Sequence, residues 1–369
     1  MTTYYCDPAA AGTNDGTSWT NAWQTLQRAI DGTGGTKPNA GDVVLCRGTE
    51  TVTVMIDSDG NSGTGAGGFV TFRGVNSSGV DDGTRYVLDS TGTLTGIINL
   101  SADLVMFENM ELRDNTGHGF RVAAYSACDN NTFINCYAHD NTGSGFDNNV
   151  QNGMRYAKFI RCRFESNGAA GAAKVADSVF IHCAFKGNTG NGIDTGSFGH
   201  IGIMIIECQV TGNGGKGIDI LSGTGPFSVI YQTVVDGNTG DGIENNTCIP
   251  IYGCRVTENA IGIDNNSATV IAHTYMPASG QARDNSTSNI DTAGGPYYDP
   301  PIDGVATNNL AGTDANGGYE NPTTDFSLAS GAALRNQEIP LDANTSVYIA
   351  AGLSPSAAGG GGSVIILED

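Results

Sequence analysis

The chain has 369 residues, with 17 lysine and arginine residues against 38 aspartate and glutamate residues, and a formal net charge of −21. This charge argues against binding to nucleic acid or to an anionic membrane surface, because both need clustered positive charge. No run of residues approaches the roughly 18–20 apolar positions of a membrane span, so none is expected. The 54 glycines and a charged fraction of only 15% are typical of a turn-dense all-β protein.

Residues 1–41 predict an N-terminal cap that consists of a strand and the one convincing helix of the chain. Residues 19–31 place apolar side chains on one helical face, with Thr20 as the expected N-cap. The residues of this face are Ala22, Trp23, Leu26, Ala29 and Ile30. We expect Trp23 to be a core residue. Met1 leads directly into the strand with no visible signal peptide, which favours folding inside the cell.

Residues 42–290 contain a motif that returns every 20–26 residues. Two of its copies read FIRCRFESNGAAGA at 159–172 and FIHCAFKGNTGNGID at 180–194. The fourth positions of the copies form one column: Met110, Cys136, Cys162, Cys183, Cys208, Thr233, Cys254 and Thr274. A fixed period of this length is typical of a solenoid. Each repeating unit, called a coil below, buries its apolar face only when the next coil stacks on it.

The pattern inside each coil indicates strands. Within FIRCRFE, Ile160, Cys162 and Phe164 alternate with charged residues, which predicts one strand with a buried face. The corresponding inward residues of other coils are Ile181, Cys183, Phe185, Ile206, Cys208, Val210, Tyr252, Cys254 and Val256. An Asn-x-Gly-x-Gly turn follows, and then a second short strand. Two strands and two turns in ~20–26 residues predict a parallel β-helix, with helix 19–31 as a lid on its first coil.

The chain resembles the pectate-lyase-like right-handed parallel β-helix proteins in two stretches. These are TTYYCDPAAAGTNDGTSWTNAWQTLQRAIDG, with GDVVLCRGTE after it, and the repeated Asn-x-x-Gly-Ile-Asp motif. The resemblance covers residues 3–290 and implies an all-β, right-handed parallel β-helix (solenoid) with an N-terminal capping α-helix. The family includes polysaccharide lyases, hydrolases and epimerases, bacterial surface proteins, and bacteriophage tailspikes. The resemblance therefore leaves the activity open.

The cysteines predict a reduced core. Nine cysteines are present, and five of them lie in the inward column, where a free thiol behaves as a small hydrophobe. Stacked strands lie ~4.8 Å apart, so distance alone permits disulfides, but parallel side chains make the disulfide dihedral angle awkward. We therefore expect a ladder of free thiols, which favours folding in a reducing compartment.

Residues 291–369 predict an irregular C-terminal cap and tail. Pro296, Pro300 and Pro301 cannot lie in central strands, and a glycine run at 359–362 precedes the apolar strand-like stretch 363–367. An exposed apolar strand is an aggregation hazard, so the tail is expected to pair with something. It either folds back as a cap or docks on a neighbouring subunit.

The second strands of the coils predict an acidic column. Five carboxylates each follow the inward residue of that strand, namely Asp147, Asp194, Asp219, Glu244 and Asp264, with Arg121 and Ala173 at the same position in other coils. The simplest expectation is a solvent-facing position that accepts any polar residue. Carboxylates on successive coils could also bind a ligand, hold Ca²⁺ at Asp194, Asp219 and Glu244, or act as the carboxylate pair of a glycosidase.

A second candidate site lies on the outward face of the first strand. Its candidate catalytic residues are Arg161, Arg163, His139, His182, Glu165 and Glu207, with Tyr137 as a candidate ligand-binding residue beside Arg163. Cations concentrate here, and an Arg or Lys base with a charge-neutralising partner is what the family's lyases use. Mixed charge on a solvated sheet face is the simpler interpretation. The family's calcium-binding aspartates with their arginine cannot be matched residue by residue.

These observations favour a non-catalytic structural protein that contacts glycans on the surface of a phage particle, as a tailspike, fibre or decoration protein. The expected partners are a cell-surface or extracellular polysaccharide and other virion subunits, and resemblance to tailspikes implies a homotrimer. The expected location is the virion surface, or outside the cell after lysis. The alternative is a polysaccharide lyase or glycoside hydrolase of the same superfamily. Ca²⁺ is the one cofactor considered.

Overall fold

The computed structural model describes residues 1–58, 62–122, 128–149, 153–175, 177–196, 202–221, 228–247, 249–266, 269–272, 274 and 276, and the short strands after residue 287 that are named below. Three parallel sheets, here named A, B and C, make up the body of this part of the chain. Each coil contributes one strand to each sheet in turn.

Sheet A has twelve strands: β1 (Thr3–Cys6), β2 (Val43–Cys46), β5 (Val70–Gly74), β8 (Val105–Glu108), β11 (Thr132–Ile134), β14 (Ala157–Ile160), β17 (Ser178–Ile181), β20 (Ile203–Ile206), β23 (Val229–Tyr231), β26 (Ile251–Tyr252), β29 (Thr269–Ala272) and β31 (Tyr297–Tyr298). Sheet B has nine: β3 (Thr49–Thr51), β6 (Tyr86–Asp89), β9 (Met110–Arg113), β12 (Tyr137–His139), β15 (Arg163–Glu165), β18 (Ala184–Lys186), β21 (Gln209–Thr211), β24 (Val234–Asp236) and β27 (Arg255–Thr257). Sheet C has ten: β4 (Ile56–Asp57), β7 (Gly96–Leu100), β10 (His118–Val122), β13 (Phe146–Asn148), β16 (Ala172–Ala173), β19 (Ile193–Asp194), β22 (Ile218–Ile220), β25 (Ile243–Asn245), β28 (Ile261–Asn265) and β30 (Ser288–Asp291).

The first strand predicted for each coil is in fact two strands that meet at a corner between sheets A and B. In the coil of Cys162, β14 ends at Ile160, β15 begins at Arg163, and Arg161 has a φ of 54°. This left-handed residue interrupts the alternation, so Phe159 points inward and Ile160 outward. The prediction of inward positions was therefore wrong for Ile160, Ile181, Ile206 and Tyr252. It was correct for the cysteines and for the apolar residues two positions after them, which are buried.

Two inward columns fill the core beside this corner. The phenylalanine column of sheet A consists of Phe72, Phe107, Phe133, Phe159 and Phe180, whose rings stack along the solenoid axis. The predicted cysteine column follows it, and all eight cysteines in the described part of the chain are buried free thiols. The Cys183 thiol donates to the carbonyl of Phe159, one coil below, at 3.3 Å. Burial raises the pKa of Cys254 to about 12, so this thiol stays protonated.

An asparagine ladder lines the turn between sheets B and C. Its members are Asn115, Asn141, Asn167, Asn188, Asn213, Asn238 and Asn259, and all are at most 2% exposed. The Asn188 amide nitrogen donates to the Asn213 side-chain oxygen at 2.9 Å and to the Phe164 carbonyl at 2.9 Å. The Asn188 oxygen accepts from both nitrogens of Asn167. These bonds join successive coils, so the ladder fixes the coil-to-coil register at this turn.

The N-terminal helix is shorter than predicted. Helix α1 spans Leu26–Asp31, with Thr25 as its N-cap and Gly32 in the left-handed conformation after its end. Residues 19–25 are not helical, because Trp23 pairs with β1: its N–H donates to the Tyr5 carbonyl, and its own carbonyl accepts from the Asp7 N–H. These bonds satisfy backbone groups of β1 that would otherwise remain open at the sheet edge. Trp23 is fully buried in the core, as predicted.

Glu50, a buried carboxylate of sheet B, holds this helix against the first coil. One of its oxygens accepts from the Leu26 N–H at 2.8 Å and from the Tyr86 hydroxyl at 2.6 Å. Burial raises the pKa of Glu50 above its ordinary value, although both hydrogen bonds oppose the shift. The folded state therefore prefers the protonated carboxyl more than the unfolded state does.

This preference makes the contribution of Glu50 to the free energy of unfolding depend on pH. It is most favourable below the ordinary pKa of a glutamate and is lost as the pH rises through the raised pKa of the folded state. We expect the free energy of unfolding of the wild type, relative to Glu50→Gln, to fall across that window. Denaturant titrations at several pH values measure it. Asp15→Asn is a control of opposite sign, because hydrogen bonds from Thr13 and Thr17 lower the pKa of Asp15. A difference between wild type and Glu50→Gln that does not vary with pH would contradict the expectation.

After sheet C ends at β30, the structure gives β31 in sheet A and two antiparallel hairpins. The hairpins pair β32 (Tyr319–Asn321) with β33 (Asp325–Leu328) and β34 (Glu338–Pro340) with β35 (Ser346–Tyr348). The predictions for Pro296, Pro300, Pro301 and the tail 359–369 lie outside the described residues.

Candidate functional site

The outward row of sheet C brings the predicted acidic column together. Strand pairing places the following residues side by side on successive coils: Asp57, Asn99, Arg121, Asp147, Ala173, Asp194, Asp219, Glu244 and Asp264. The predicted register is confirmed. Neighbouring members lie on strands ~4.8 Å apart, which makes this a linear array with the period of the coils.

The position of each carboxylate is set by the residues just before it in the chain. In one coil, Ile193 points inward and is fully buried, so Asp194 points outward. Gly192 directly precedes Ile193. A Cβ added at Gly192 would lie 2.5 Å from a Val210 side-chain carbon and 2.6 Å from the Gly217 carbonyl oxygen. This close approach needs glycine, and the asparagine ladder holds the preceding turn. The row is therefore carried by rigid backbone.

Part of the row is more buried than the simplest expectation allowed. Asp147 is 3% exposed and Asp219 is 5% exposed, so these are not plain solvent-facing positions. Burial raises the pKa of both Asp194 and Asp219, although the positive charge of Lys216 opposes both shifts. Buried carboxylates with raised pKa values are typical of functional sites.

Two lysines and a histidine, which were not among the predicted site residues, contact the row. Lys174 lies 3.3 Å from Asp147, and Lys216 lies 3.3 Å from Asp219 and also contacts Glu244. His118 is 3.5 Å from Asp147, and burial lowers its pKa, so the neutral form is favoured near neutral pH. Lys174 directly follows Ala173, the row position of its coil, and Lys216 precedes Asp219 by three residues. This closeness in sequence to the row positions was the signal that could have predicted the contacts of the two lysines with the row.

Asp219 and Glu244, on neighbouring coils, have opposite pKa shifts. Burial raises the pKa of Asp219. Burial also acts to raise the pKa of Glu244, but hydrogen bonds from Lys216 and Asn246 hold this pKa below its ordinary value. The pair thus offers one carboxyl that keeps its proton more readily and one that stays ionised. This division suits a general acid beside a carboxylate base or nucleophile.

The donor set does not favour the predicted calcium site. Lys216 lies against both Asp219 and Glu244, where its charge competes with a cation. Among the described residues, Asp241, Glu244 and Asp264 bring carboxylate oxygens within 4.8 Å of one another. Ca²⁺ takes six to eight oxygen ligands, and three carboxylates with a lysine at one of them provide a poor cradle. No step through calcium is derived.

The second candidate site does not form a single face. Arg161, His182 and Glu207 are left-handed residues of the A–B corner, with φ values of 54°, 53° and 51°. The other members, Tyr137, His139, Arg163 and Glu165, lie on sheet B. The corner divides the predicted surface into two rows, because each left-handed residue turns the chain between sheets.

Charges in both rows are largely neutralised by their neighbours. His182 and Glu207 pair at 2.6 Å, and Arg163 makes two hydrogen bonds to Glu165, at 2.9 and 2.8 Å. The Tyr137 ring stacks on His139 with centroids 4.0 Å apart, and the Arg163 guanidinium lies 4.6 Å from its centroid. Tyr137 is thus engaged by its own neighbours, so it is a poor platform for a sugar ring. Sheet C remains the stronger candidate site.

Comparison with known proteins agrees with this architecture. A family model described as "Right handed beta helix region" matches residues 61–239. The structure of pectate lyase Pel9A superposes with a TM-score of 0.56 at 17% identity, covering 91% of this chain and 91% of that one. The chain is a right-handed parallel β-helix of the pectate-lyase-like fold. The fold predicted from the repeat is confirmed.

A rhamnogalacturonan lyase superposes on this β-helix with a TM-score of 0.49 at 14% identity, covering 79% of this chain and 87% of that one. No curated protein sequence matches the chain. No helix among the described residues is long and apolar enough to cross a membrane.

Proposed function

We propose that this β-helix is a structural protein that contacts a polysaccharide along the outward row of sheet C. One observation carries the proposal: carboxylates of successive coils stand in a straight row on the outward side of sheet C, and Lys174 and Lys216 lie against them. A polymer with a repeating unit suits a surface whose polar groups also repeat. The carboxylates accept hydrogen bonds from sugar hydroxyls, and the lysines donate to sugar oxygens.

We propose further that the protein acts on the surface of a phage particle, beside other virion subunits and as a homotrimer. The buried free thiols support folding in a reducing compartment, which fits a particle assembled in the cytoplasm and released by lysis. A stiff stack of coils suits the display of a binding row at a particle surface. Sedimentation equilibrium of the full chain gives the number of subunits, and immunogold labelling of particles tests the location. A monomeric mass would overturn the proposed homotrimer, and absence of the protein from the particles would overturn the proposed location.

Catalysis by the same row is the second candidate function. The opposite pKa shifts of Asp219 and Glu244, on adjacent strands, favour it over a purely structural role. In a glycoside hydrolase, Asp219 would donate a proton to the leaving oxygen while Glu244 would act as the carboxylate base or nucleophile. A lyase would use a base of the row to remove the proton beside a uronate carboxyl group, whose charge Lys216 would help to neutralise. The bond between the ring and the glycosidic oxygen would then break, Asp219 would give that oxygen a proton, and a double bond would remain in the uronate.

One experiment separates binding from turnover. The full chain is incubated with neutral and uronic-acid polysaccharides, while calorimetry follows binding and assays follow reducing ends and the ultraviolet absorbance of unsaturated uronates. We expect binding, and we expect Asp194→Asn and Asp219→Asn to weaken it about tenfold, which corresponds to ~1.4 kcal/mol. Product formation abolished by Asp219→Asn would establish the enzyme instead.

Glu165→Gln is the matched control, because it removes one carboxylate from the competing row on sheet B. It is expected to leave glycan binding unchanged. If Glu165→Gln weakens binding and the sheet C variants do not, the site is misassigned. If no polysaccharide binds the wild type, the proposed function is wrong.

A further inference from the structure

The first coils of the outward row of sheet C hold a buried hydrogen-bond acceptor. Asn99 follows Asp57 in this row and is 5% exposed. Its neighbours Ile98 and Leu100 are fully buried in the core, so the Asn99 side chain points outward into the row. The Asn99 amide nitrogen donates to Asp57 at 3.1 Å. In the part of the chain that the structure describes, no group donates to the Asn99 side-chain oxygen.

The orientation of this amide is fixed by Asp57. An exchange of its nitrogen and oxygen would place the Asn99 oxygen against the Asp57 carboxylate, which is itself an acceptor. The Asp57 carboxylate also accepts from the Ser101 hydroxyl at 2.6 Å, which holds the carboxylate in place. A buried acceptor without a donor destabilises a fold, so such a group calls for a partner that supplies the donor. The Asn99 oxygen therefore indicates a ligand that donates a hydrogen bond.

Arg121, the next residue of the row, is a half-buried arginine without an acidic partner among the described residues. A Cβ added at Gly96 would lie 2.8 Å from the Arg121 Cβ and 3.5 Å from its Cδ, so the Arg121 side chain lies along β7, the strand of Asn99. The guanidinium makes one long hydrogen bond in this part of the chain, from Nη1 to the Thr95 hydroxyl at 3.4 Å. Most of its N–H groups can therefore donate to a ligand.

We propose that Asn99 and Arg121 form a subsite that binds two adjacent hydroxyl groups of an uncharged sugar unit. This inference rests on the proposed function, in which a polysaccharide lies along the row. The Asn99 oxygen can only accept a hydrogen bond, and the Arg121 guanidinium can only donate. A carboxylate or sulfate would satisfy Arg121 but not Asn99, and an ammonium group would be repelled by Arg121. A pair of hydroxyls serves both residues once the Arg121 side chain turns from Thr95 toward the sugar.

The charge of the whole row favours the same class of ligand, because carboxylates outnumber cations along it. The carboxylates are Asp57, Asp147, Asp194, Asp219, Glu244 and Asp264, and the cations are Arg121, Lys174 and Lys216. The chain as a whole has a net charge of −21. A polymer with a carboxylate on every unit would be repelled along this surface, whereas a neutral polysaccharide would not.

The first experiment compares polymers that differ only in their acid groups. Calorimetry with the full chain compares polygalacturonate and polymannuronate with their carboxyl-reduced forms, in which every carboxylate has become a hydroxymethyl group. A neutral glucan and a neutral xylan complete the panel. We expect a neutral polymer to bind, and the reduced form of each pair to bind about tenfold or more tighter than its parent at low salt. A parent polymer that binds as tightly as its reduced form would overturn the inference.

Periodate tests the adjacent hydroxyls directly. It cleaves the bond between two neighbouring hydroxyl-bearing carbons, and borohydride then converts the resulting aldehydes to separate hydroxyls. The neutral polymer that binds should lose its binding after this treatment, although its charge and hydroxyl groups remain. Full binding by the treated polymer would contradict the proposed recognition of a hydroxyl pair.

Two variants test the two residues separately. Asn99→Leu removes the acceptor with a side chain of similar size, and Arg121→Gln removes the guanidinium. Each should weaken binding of the neutral polymer about tenfold, the effect of one or two hydrogen bonds. Because both residues would contact one sugar unit, the double variant should lose less than the product of the two single losses. Asn39→Leu and Lys186→Gln are matched controls, because both residues are exposed and lie outside the row, and they should leave binding unchanged.

The outcomes distinguish this inference from the proposed function. Circular dichroism checks that the variants keep the solenoid, and Arg121→Gln gives the answer if Asn99→Leu does not fold. Unchanged binding in Asn99→Leu and Arg121→Gln, together with weaker binding in Asp194→Asn, would overturn the subsite and leave the proposed function standing. Water, and not a sugar, would then serve the Asn99 oxygen. If no polymer of the panel binds the wild type, both proposals are wrong.

Discussion

Phe159→Ala is expected to lower the free energy of unfolding by about 3–5 kcal/mol. Phe159 is fully buried at the centre of the phenylalanine column. Its ring stacks between Phe133, at 4.8 Å, and Phe180, at 4.6 Å, and meets Phe146 edge to face at 5.0 Å. Alanine would leave a cavity that the stacked coils cannot close, because their hydrogen-bond register fixes the distance between them.

Chemical denaturation followed by circular dichroism measures this loss. Phe159→Leu keeps most of the apolar volume and should cost less than the alanine variant. Val54→Ala is the surface control, because Val54 is 75% exposed, and its effect should remain within about 0.5 kcal/mol. A cost for Phe159→Ala no larger than that of Val54→Ala would show that the column is not the core of the solenoid.

Asn188→Ala is expected to cost about 2–4 kcal/mol, since each buried polar group left without a partner costs about 1–3 kcal/mol. The substitution removes the hydrogen bond to the Phe164 carbonyl and the bonds to Asn167 and Asn213. All of these groups are buried at the same turn, where water cannot easily replace the amide. The same turn leads to Gly192 and Asp194, so the variant should also disturb the row of sheet C.

Asn188→Asp and Asn39→Ala separate the ladder from a general effect of asparagine. The aspartate keeps the acceptor oxygens but places them against the Asn213 oxygen, so it should destabilise at least as much as alanine at neutral pH. Asn39 is exposed, and its side-chain amide nitrogen donates to the carbonyl of Lys37, two residues away. Its alanine variant should fall within about 0.5 kcal/mol of wild type. Equal costs at the two positions would contradict a role for the ladder.

Much of the architecture could be predicted from the repeat. The period of 20–26 residues indicated stacked coils, and alignment of the copies placed the cysteines and the acidic row in columns that the structure confirms. Such columns can be recognised in the sequence because every coil repeats the same contact with the next. A side chain that stacks on its own counterpart must recur at the coil period.

The corner between sheets A and B could not be predicted in this way. In FIRCRFE the alternation looks unbroken, and Arg161 and Glu207 are not residues that indicate a positive φ. Hydrogen bonds between coils impose the corner, as when the Arg161 N–H donates to the Ile181 carbonyl. The missed corner reversed the assignment of Ile160 and its counterparts.

The sequence by itself determined that this chain is a β-helix and which residues share a row, because both follow from periodicity along the chain. Only the tertiary structure decided which carboxylates are buried and which lysines contact them. The burial of Asp219 and the bridging position of Lys216 depend on groups that the repeat does not encode. Desolvation and charge pairing arise from neighbours in space, and these set the chemistry of the row.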